Sequence, residues 1–280
     1  MTESWIVSSD MDGTLLSHDG YHYAQALPAM KQLQQAGIPL VLNTSKTFAE
    51  LEHWIERLEL DHPFVVENGS AVYLPLADDE AEEAVTRETR FGRYRVVVLG
   101  TPIARLRQLL EQTQPEAIDF TRCSLAEAID LTGLDEASAR QARTREFSIP
   151  LRFADPGQLA EFRARVQAAG FGLLEGGRFA HLMGRTDKAR AVGYLKTWYR
   201  EKTGVAQVRV AALGDSPNDA AMIDAADIAV GVKSPSSDKL SALCSNLTIT
   251  RETAPRGWAE GVGYILERIK PKSEYGGLHG

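Results

Sequence analysis

Cysteine is scarce: Cys123 and Cys244 are the only two in 280 residues. Two thiols make no disulfide framework, which excludes the small stapled folds of secreted scaffolds. No apolar run approaches the roughly 18 residues a membrane span needs. The opening Met1-Thr2-Glu3-Ser4 lacks the basic stretch of a secretory leader, so the cytoplasm is the expected compartment and no membrane partner is expected. Positive charge is also short, 31 Lys and Arg against 38 Asp and Glu for a net −7, which argues against a nucleic-acid partner. A Gly-x-x-x-x-Gly-Lys-Ser/Thr loop is absent, which excludes a P-loop nucleotide kinase. Lysine is missing altogether from Val85 to Thr186, where 15 Arg stand with 12 acids, while the remainder carries 16 Lys and Arg against 26 acids. An all-arginine segment in an acidic chain points to a surface that grips carboxylate or phosphate through bidentate pairs. Any single one of these arginines is more often a solvated helix residue.

What remains is a globular composition, 44% hydrophobic and 25% charged, long enough for one large or two ordinary domains. Trp5 to Ser9 reads as a short buried strand and Ala24 to Ala36 as a helix closed by Gly37. Ile38 to Leu42 is a second strand, Phe48 to Leu58 a helix, and Pro63 to Val66 a third strand. This alternation predicts a parallel, doubly wound sheet. The acidic run Asp78 to Glu83 reads as a linker. The style then changes: a strand at Arg95 to Leu99, helices at 102–112, 125–143 (broken near Gly133) and 158–169, and a hairpin around Gly176-Gly177. The parallel pattern resumes with a helix from Lys188, a strand at Val208 to Leu213 and a last helix at Gly257 to Ile269. The expected organisation is an α/β, Rossmann-like core at 1–84 and 187–270, an inserted α+β cap at 85–186, and a flexible tail at 271–280.

Chemistry concentrates at strand ends. Asp10-Met11-Asp12-Gly13-Thr14-Leu15-Leu16 follows the first strand, and two carboxylates two residues apart project to the same side. An Asp-Gly pair alone is often a hairpin turn, but no alternating strand returns after Leu15-Leu16. Thr44, with Ser45 and Lys46, follows the second strand. Lys188 opens a helix, and Asp215, Asn218 and Asp219 follow a later strand. In a doubly wound sheet all four sets meet at the carboxyl edge, where ligands bind. Such a set suits phosphoryl transfer through an aspartyl enzyme. One carboxylate attacks phosphorus and a second moves protons, while hydroxyl, amide and ammonium groups hold the equatorial oxygens. Paired carboxylates also call for a hard cation. Individually each residue has a plainer reading, Lys188 as a surface lysine and Thr44 as a cap; their order and spacing together favour the chemical one.

On these motifs the sequence resembles the haloacid-dehalogenase superfamily of phosphatases. The resemblance implies Asp10 as nucleophile, Asp12 as general acid/base, and Thr44 and Lys188 as phosphate ligands. It implies Mg²⁺ held by Asp10, Asp215 and the Asp12 carbonyl, with Asp219 supporting the shell. Within the sugar-phosphatase branch the chain is similar to the mannosyl-3-phosphoglycerate phosphatases. That likeness rests on Thr44-Ser45-Lys46-Thr47, Glu67-Asn68-Gly69, Arg178-Phe179 with His181-Leu182, Asp187-Lys188 and Gly257-Trp258. Some members carry Ser-Glu-Pro where this chain has Ser148-Ile149-Pro150. The implied partner is a small sugar phosphate, the implied product a compatible solute, and the implied assembly a monomer or weak homodimer. Candidate substrate contacts are Ser45, Lys46, Glu67, Asn68, Arg145, Arg178 and His181. The alternatives are another sugar phosphate (glucosyl-3-phosphoglycerate, sucrose phosphate or a hexose phosphate), a phosphomannomutase-like transferase, and a non-catalytic sensor. Whole-length likeness to phosphatases argues against the transferase, and retention of every acid argues against the sensor.

Overall fold

The computed structural model describes residues 3–76 and 93–269; the expected linker at 78–83, the join at 84/85 and the tail from 271 lie outside them. The chain opens with β1 (Glu3–Ser9), α1 (Leu27–Gln35), β2 (Leu40–Leu42), α2 (Phe48–Arg57), β3 (Phe64–Val66), β4 (Ala71–Pro75) and β5 (Tyr94–Val98). An inserted unit follows: α3 (Ile103–Thr113), β6 (Ala117–Asp119), α4 (Leu125–Thr132), α5 (Glu136–Arg143), β7 (Ser148–Phe153), α6 (Pro156–Ala168), β8 (Gly172–Gly176) and β9 (Phe179–Met183). The first body resumes with α7 (Lys188–Thr203), β10 (Gln207–Gly214), α8 (Ala220–Asp224), β11 (Ile228–Lys233), α9 (Ser237–Leu243), β12 (Leu247–Thr253) and α10 (Arg256–Ile269).

Five parallel strands stand in the order β12-β11-β10-β1-β2. Their residues alternate between two cores. Val7, Leu40, Leu42, Ala211 and Leu213 join Leu33 of α1 and Trp258 of α10 on one face. Ile6, Val41, Val210 and Ala212 join Leu195 of α7, Met222 of α8 and Leu240 of α9 on the other. A sheet covered on both faces needs apolar residues at every position, which is why these strands read as continuous apolar runs rather than alternating ones.

The insert has its own sheet, β6-β7-β9-β8, antiparallel throughout. One face packs Ile149, Leu151 and Leu182 against Leu106 and Leu109 of α3 and Phe162 and Val166 of α6. Helices α4 and α5 pack together through Ala128, Ala139 and Ala142 around Phe120. The break between them is Gly133 at φ +74, where a side chain would be strained. One boundary differs from expectation. A join at 84/85 would put β5 in the insert, yet β5 pairs antiparallel with β4, from Ala71↔Val98 to Pro75↔Tyr94. Its Tyr94, Val96 and Val97 pack on the central cores. An alternating segment announces a strand but not its partner, because the pairing is not local.

Core and insert meet at Glu67-Asn68-Gly69-Ser70. Glu67, Asn68 and Gly69 all have left-handed φ, +48, +58 and +86, costing about 1–2 kcal/mol for each non-glycine residue. Hydrogen bonds hold the turn. The Glu67 and Asn68 amides donate to the Lys46 and Thr44 carbonyls, both at 2.9 Å. Both chain crossings rest on it: the Leu99 and Gly100 amides donate to the Ser70 carbonyl, and Thr186 Oγ1 donates to the Gly69 carbonyl. A Cβ on Gly69 would collide with the Asp187 carbonyl, so the close approach requires glycine.

Candidate active site

Strand β1 is flanked by β2 on one side and β10 on the other, so the strand order reverses there and a crevice opens beyond the carboxyl ends. Asp10 leaves β1 into that crevice, with its amide donating to the Leu213 carbonyl at 2.9 Å. Asp215 leaves the end of β10, and Asp219 closes the Pro217–Asp219 turn that follows. Asp10, Asp215 and Asp219 are buried, and one carboxylate oxygen from each lies within 4.8 Å of the others. Lys188, at the start of α7, reaches between two of them. Its Nζ donates to Asp10 Oδ1 at 2.7 Å and Asp219 Oδ1 at 2.6 Å, and its side chain is fully buried. The other Asp219 oxygen accepts the Asp215 and Ser216 amides at 3.0 and 3.1 Å. Thr14 Oγ1 donates to Asp215 Oδ1 at 3.1 Å. The Asp187 side chain caps α7 through the Arg190 amide and so fixes where Lys188 begins.

Three buried acids around one ammonium leave excess negative charge. Burial, then Asp219 and Asp215, push Asp10 up to about 8 against the pull of Lys188. Burial also raises Asp215, opposed by a hydrogen bond from His18. Lys188 stays charged: burial works against its ammonium, but Asp10 and Asp219 more than offset that and raise its pKa. These oxygens are hard donors, and a divalent cation among them would supply the missing positive charge. The donor set therefore fits a metal ion.

Asp12 is turned elsewhere. Its Oδ2 meets Lys46 Nζ at 2.9 Å, and its Oδ1 is buried with no hydrogen-bond partner among the described residues. Lys46 is itself buried and also faces Glu50 at 3.7 Å; burial opposes its charge, yet Asp12 and Glu50 win and raise its pKa. Thr44 is fully buried at the end of β2, its amide donating to Val65 and its Oγ1 accepting the Lys46 amide at 3.2 Å. Ser45 accepts Arg145 Nη1 on its carbonyl at 3.1 Å. Asn68 Oδ1 accepts Asn218 Nδ2 at 3.4 Å, so it belongs to the Asp215–Asp219 side of the crevice.

The insert's candidates divide. β8 lies against the Pro217–Asp219 turn, which puts one edge of its sheet over the crevice. Arg145 spans the seam, donating to the Ser45 carbonyl and to Ser148 Oγ at 3.0 Å. Glu67, expected to contact substrate, is occupied instead. It accepts the Glu146 amide at 2.9 Å, the Phe147 amide at 3.2 Å and Ser148 Oγ at 2.6 Å. A buried carboxylate must be satisfied, and here the insert's backbone does so. Arg178, expected at the substrate, is exposed and donates to the Leu131 and Thr132 carbonyls at the end of α4. Orphan carbonyls at a helix C-terminus attract a guanidinium, and that local need claims it. Ile149, where some related chains carry an acid, is fully buried in the insert's own core.

His181 lies on β9 between Pro150 and Leu174, buried, its Nδ1 without a partner among the described residues. Burial, then Arg145, pull it from 6.5 down to about 3. Between those values the unfolded chain binds a proton that the folded one refuses, so stability falls as pH drops below 6.5, by roughly 2 kcal/mol at pH 5. His181→Leu should remove that loss. Denaturant melts at pH 7 and pH 5 check it, and equal acid losses in both proteins would contradict a neutral imidazole.

Three further side chains, none of them among the expected site residues, take part. His18 Nε2 stands 3.4 Å from Asp215 Oδ2, and the Asp215 hydrogen bond raises its pKa. Glu50 both completes the capping box of α2 and faces Lys46. Tyr21 lays its ring 4.7 Å from Lys46 Nζ. His18 and Tyr21 depend on how a loop folds back, which no spacing rule reports. Thr47-x-x-Glu50, by contrast, has the spacing of a capping box, and Glu50 stands four residues from Lys46, a signal present in the sequence.

Residues 7–91 and 176–255 match the family of haloacid dehalogenase-like hydrolases. The chain belongs to that family, and it is a phosphatase. It is 35% identical over 263 residues to a glucosyl-3-phosphoglycerate/mannosyl-3-phosphoglycerate phosphatase of Methanococcoides burtonii, covering 92% of this chain and 95% of that one. A protein of the same description from Persephonella marina is 31% identical, covering 95% and 98%. Among solved structures, a phosphatase of the haloalkanoate enzyme superfamily from Bacteroides thetaiotaomicron aligns with a TM-score of 0.66 at 20% identity, covering 93% and 94%. Among the described residues no helix is long and apolar enough to cross a membrane.

Proposed function

We propose that the protein hydrolyses the phosphomonoester of a mannosyl- or glucosyl-3-phosphoglycerate in the cytoplasm, releasing inorganic phosphate and the glycosylglycerate. The observation that carries the chemistry is the division of labour between two aspartates two residues apart. Asp10 sits in the buried acid cluster on Lys188, while Asp12 is held by Lys46 with one oxygen left unpartnered. The names of the two curated relatives support the substrate.

In this reading an Asp10 oxygen attacks phosphorus as the bond to the glycerate oxygen breaks, and Asp12 Oδ1 delivers its proton to that leaving oxygen. Asp12 then accepts a proton from the water that attacks phosphorus and releases Asp10. Lys188 and Thr44, at the wall of the crevice, hold the equatorial oxygens as charge collects on them. Mg²⁺ would be held by Asp10, Asp215 and the Asp12 carbonyl with Asp219 behind, and when bound it offsets charge on phosphate and carboxylates. The insert, seated against the Pro217–Asp219 turn, excludes bulk water.

Phosphate release from mannosyl-3-phosphoglycerate, glucosyl-3-phosphoglycerate, mannose-6-phosphate and sucrose-6-phosphate tests the reading. A glycosyl-phosphoglycerate should lead the other two by at least ~100-fold in kcat/KM, roughly 2.7 kcal/mol of discrimination. EDTA should cut turnover at least ~100-fold, with Mg²⁺ restoring it. Faster turnover of mannose-6-phosphate would overturn the substrate and keep the chemistry.

A further inference from the structure

We infer that the cleft between residues 20–27, α2 and α5 is the subsite for the sugar of the substrate, which it stacks on Tyr21, Tyr23 and Trp54. This assignment rests on the glycosylated substrate proposed above. The cleft has a volume of about 560 Å³, the size of a small-molecule site. Its wall is aromatic: the Trp54 ring stands 6.4 Å from Tyr21 at 67° and 5.6 Å from Tyr23 at 89°. All three rings are half-buried, with surface left to cover. A pyranose presents a face of C–H groups that packs on such rings and an edge of hydroxyls that needs donors and acceptors.

Those polar groups are in place. Arg57 Nε donates to Tyr23 Oη at 2.8 Å, and its guanidinium lies 5.2 Å from the Tyr23 ring and 5.7 Å from Trp54. No carboxylate pairs with it among the described residues, so its remaining N–H groups can serve a ligand. At the inner end Lys46 is both a wall of the cleft and the partner of Asp12. A sugar in the cleft therefore lies next to the acid that must protonate the leaving oxygen. Backbone strain marks the same spot: Tyr21 adopts φ +52, a conformation unfavourable for a non-glycine residue, and its ring lies under Lys46. The roof belongs to the insert. Gln141 of α5 lines the cleft and accepts Thr47 Oγ1 on its carbonyl at 3.0 Å, so a bound sugar touches both bodies.

The test compares kcat/KM for mannosyl-3-phosphoglycerate with that for 3-phosphoglycerate, which lacks the sugar. In Arg57→Ala and Tyr23→Ala the preference for the glycosylated ester should fall at least tenfold. Arg57 is exposed, so its truncation leaves the fold standing if Tyr23→Ala does not. A preference kept within twofold in both variants overturns the cleft as the sugar subsite while leaving the proposed substrate intact. Titration with free mannosylglycerate, read as tryptophan fluorescence in wild type minus Trp54→Phe, separates the two ideas. If no glycosyl-phosphoglycerate is hydrolysed yet the glycoside changes Trp54 emission, the substrate falls and the cleft stands. No change in Trp54 emission at saturating glycoside overturns the cleft.

Discussion

Asp10→Asn should abolish phosphate release, by 10⁴-fold or more on the scale of lost covalent nucleophiles, while the folded protein survives at full strength. The two halves of that expectation have separate causes. An amide oxygen is too weak a nucleophile to form the phosphoenzyme. Stability holds because the change removes one negative charge from three buried acids served by one ammonium, and Asp10 is already pushed up to about 8 by that crowding. In EDTA, where no cation shares the load, the variant should melt at or above the wild-type temperature. Turnover within a hundredfold of wild type would refute the nucleophile assignment, and a large loss of melting temperature would refute the picture of a repulsive cluster.

Lys188→Met should do the opposite, harming both properties. The side chain touches Asp10 and Asp219 at 2.7 and 2.6 Å with no exposure to water. Removing one partner of a buried ionic network leaves the others uncompensated, a loss of about 3–5 kcal/mol. Turnover should fall on the order of 10³-fold, as when a donor aimed at developing transition-state charge is removed. Because a divalent cation can replace part of the lost charge, Mg²⁺ should raise the variant's denaturation midpoint more than it raises that of wild type. Urea melts with and without Mg²⁺ measure this, and a loss below about 1 kcal/mol would mean that Lys188 does not balance the acids.

Much of the candidate site is legible in the sequence, for an identifiable reason. Asp10, Thr44 and Asp215 each follow a buried strand, and a doubly wound sheet brings strand ends to one edge whatever its loops do. Lys188 is legible as the opening of a helix, and the structure adds the Asp187 cap that fixes where it begins. Legibility failed where a side chain had a local claimant. Arg178 was taken by carbonyls at the end of α4 and Glu67 by amides of 146 and 147. Residue type announces an arginine's or a glutamate's chemistry, but not which of several partners folding will deliver. β5 shows the same limit at the level of an element: its pattern announced a strand, while its partner β4 lay across the undescribed 77–92.

The two crossings between core and insert sit side by side on Glu67-Asn68-Gly69-Ser70, close enough that a Cβ on Gly184 would lie 2.7 Å from the Thr101 amide. A unit whose ends enter and leave at one point can be lengthened, shortened or exchanged without stretching the sheet that carries it. Selection for a new substrate can then act on the insert as a cassette, and the aspartates below need not change. The carboxylate of Glu67, which reaches from the core to the insert's own 146–148, is a contact that a replacement cassette would have to reproduce.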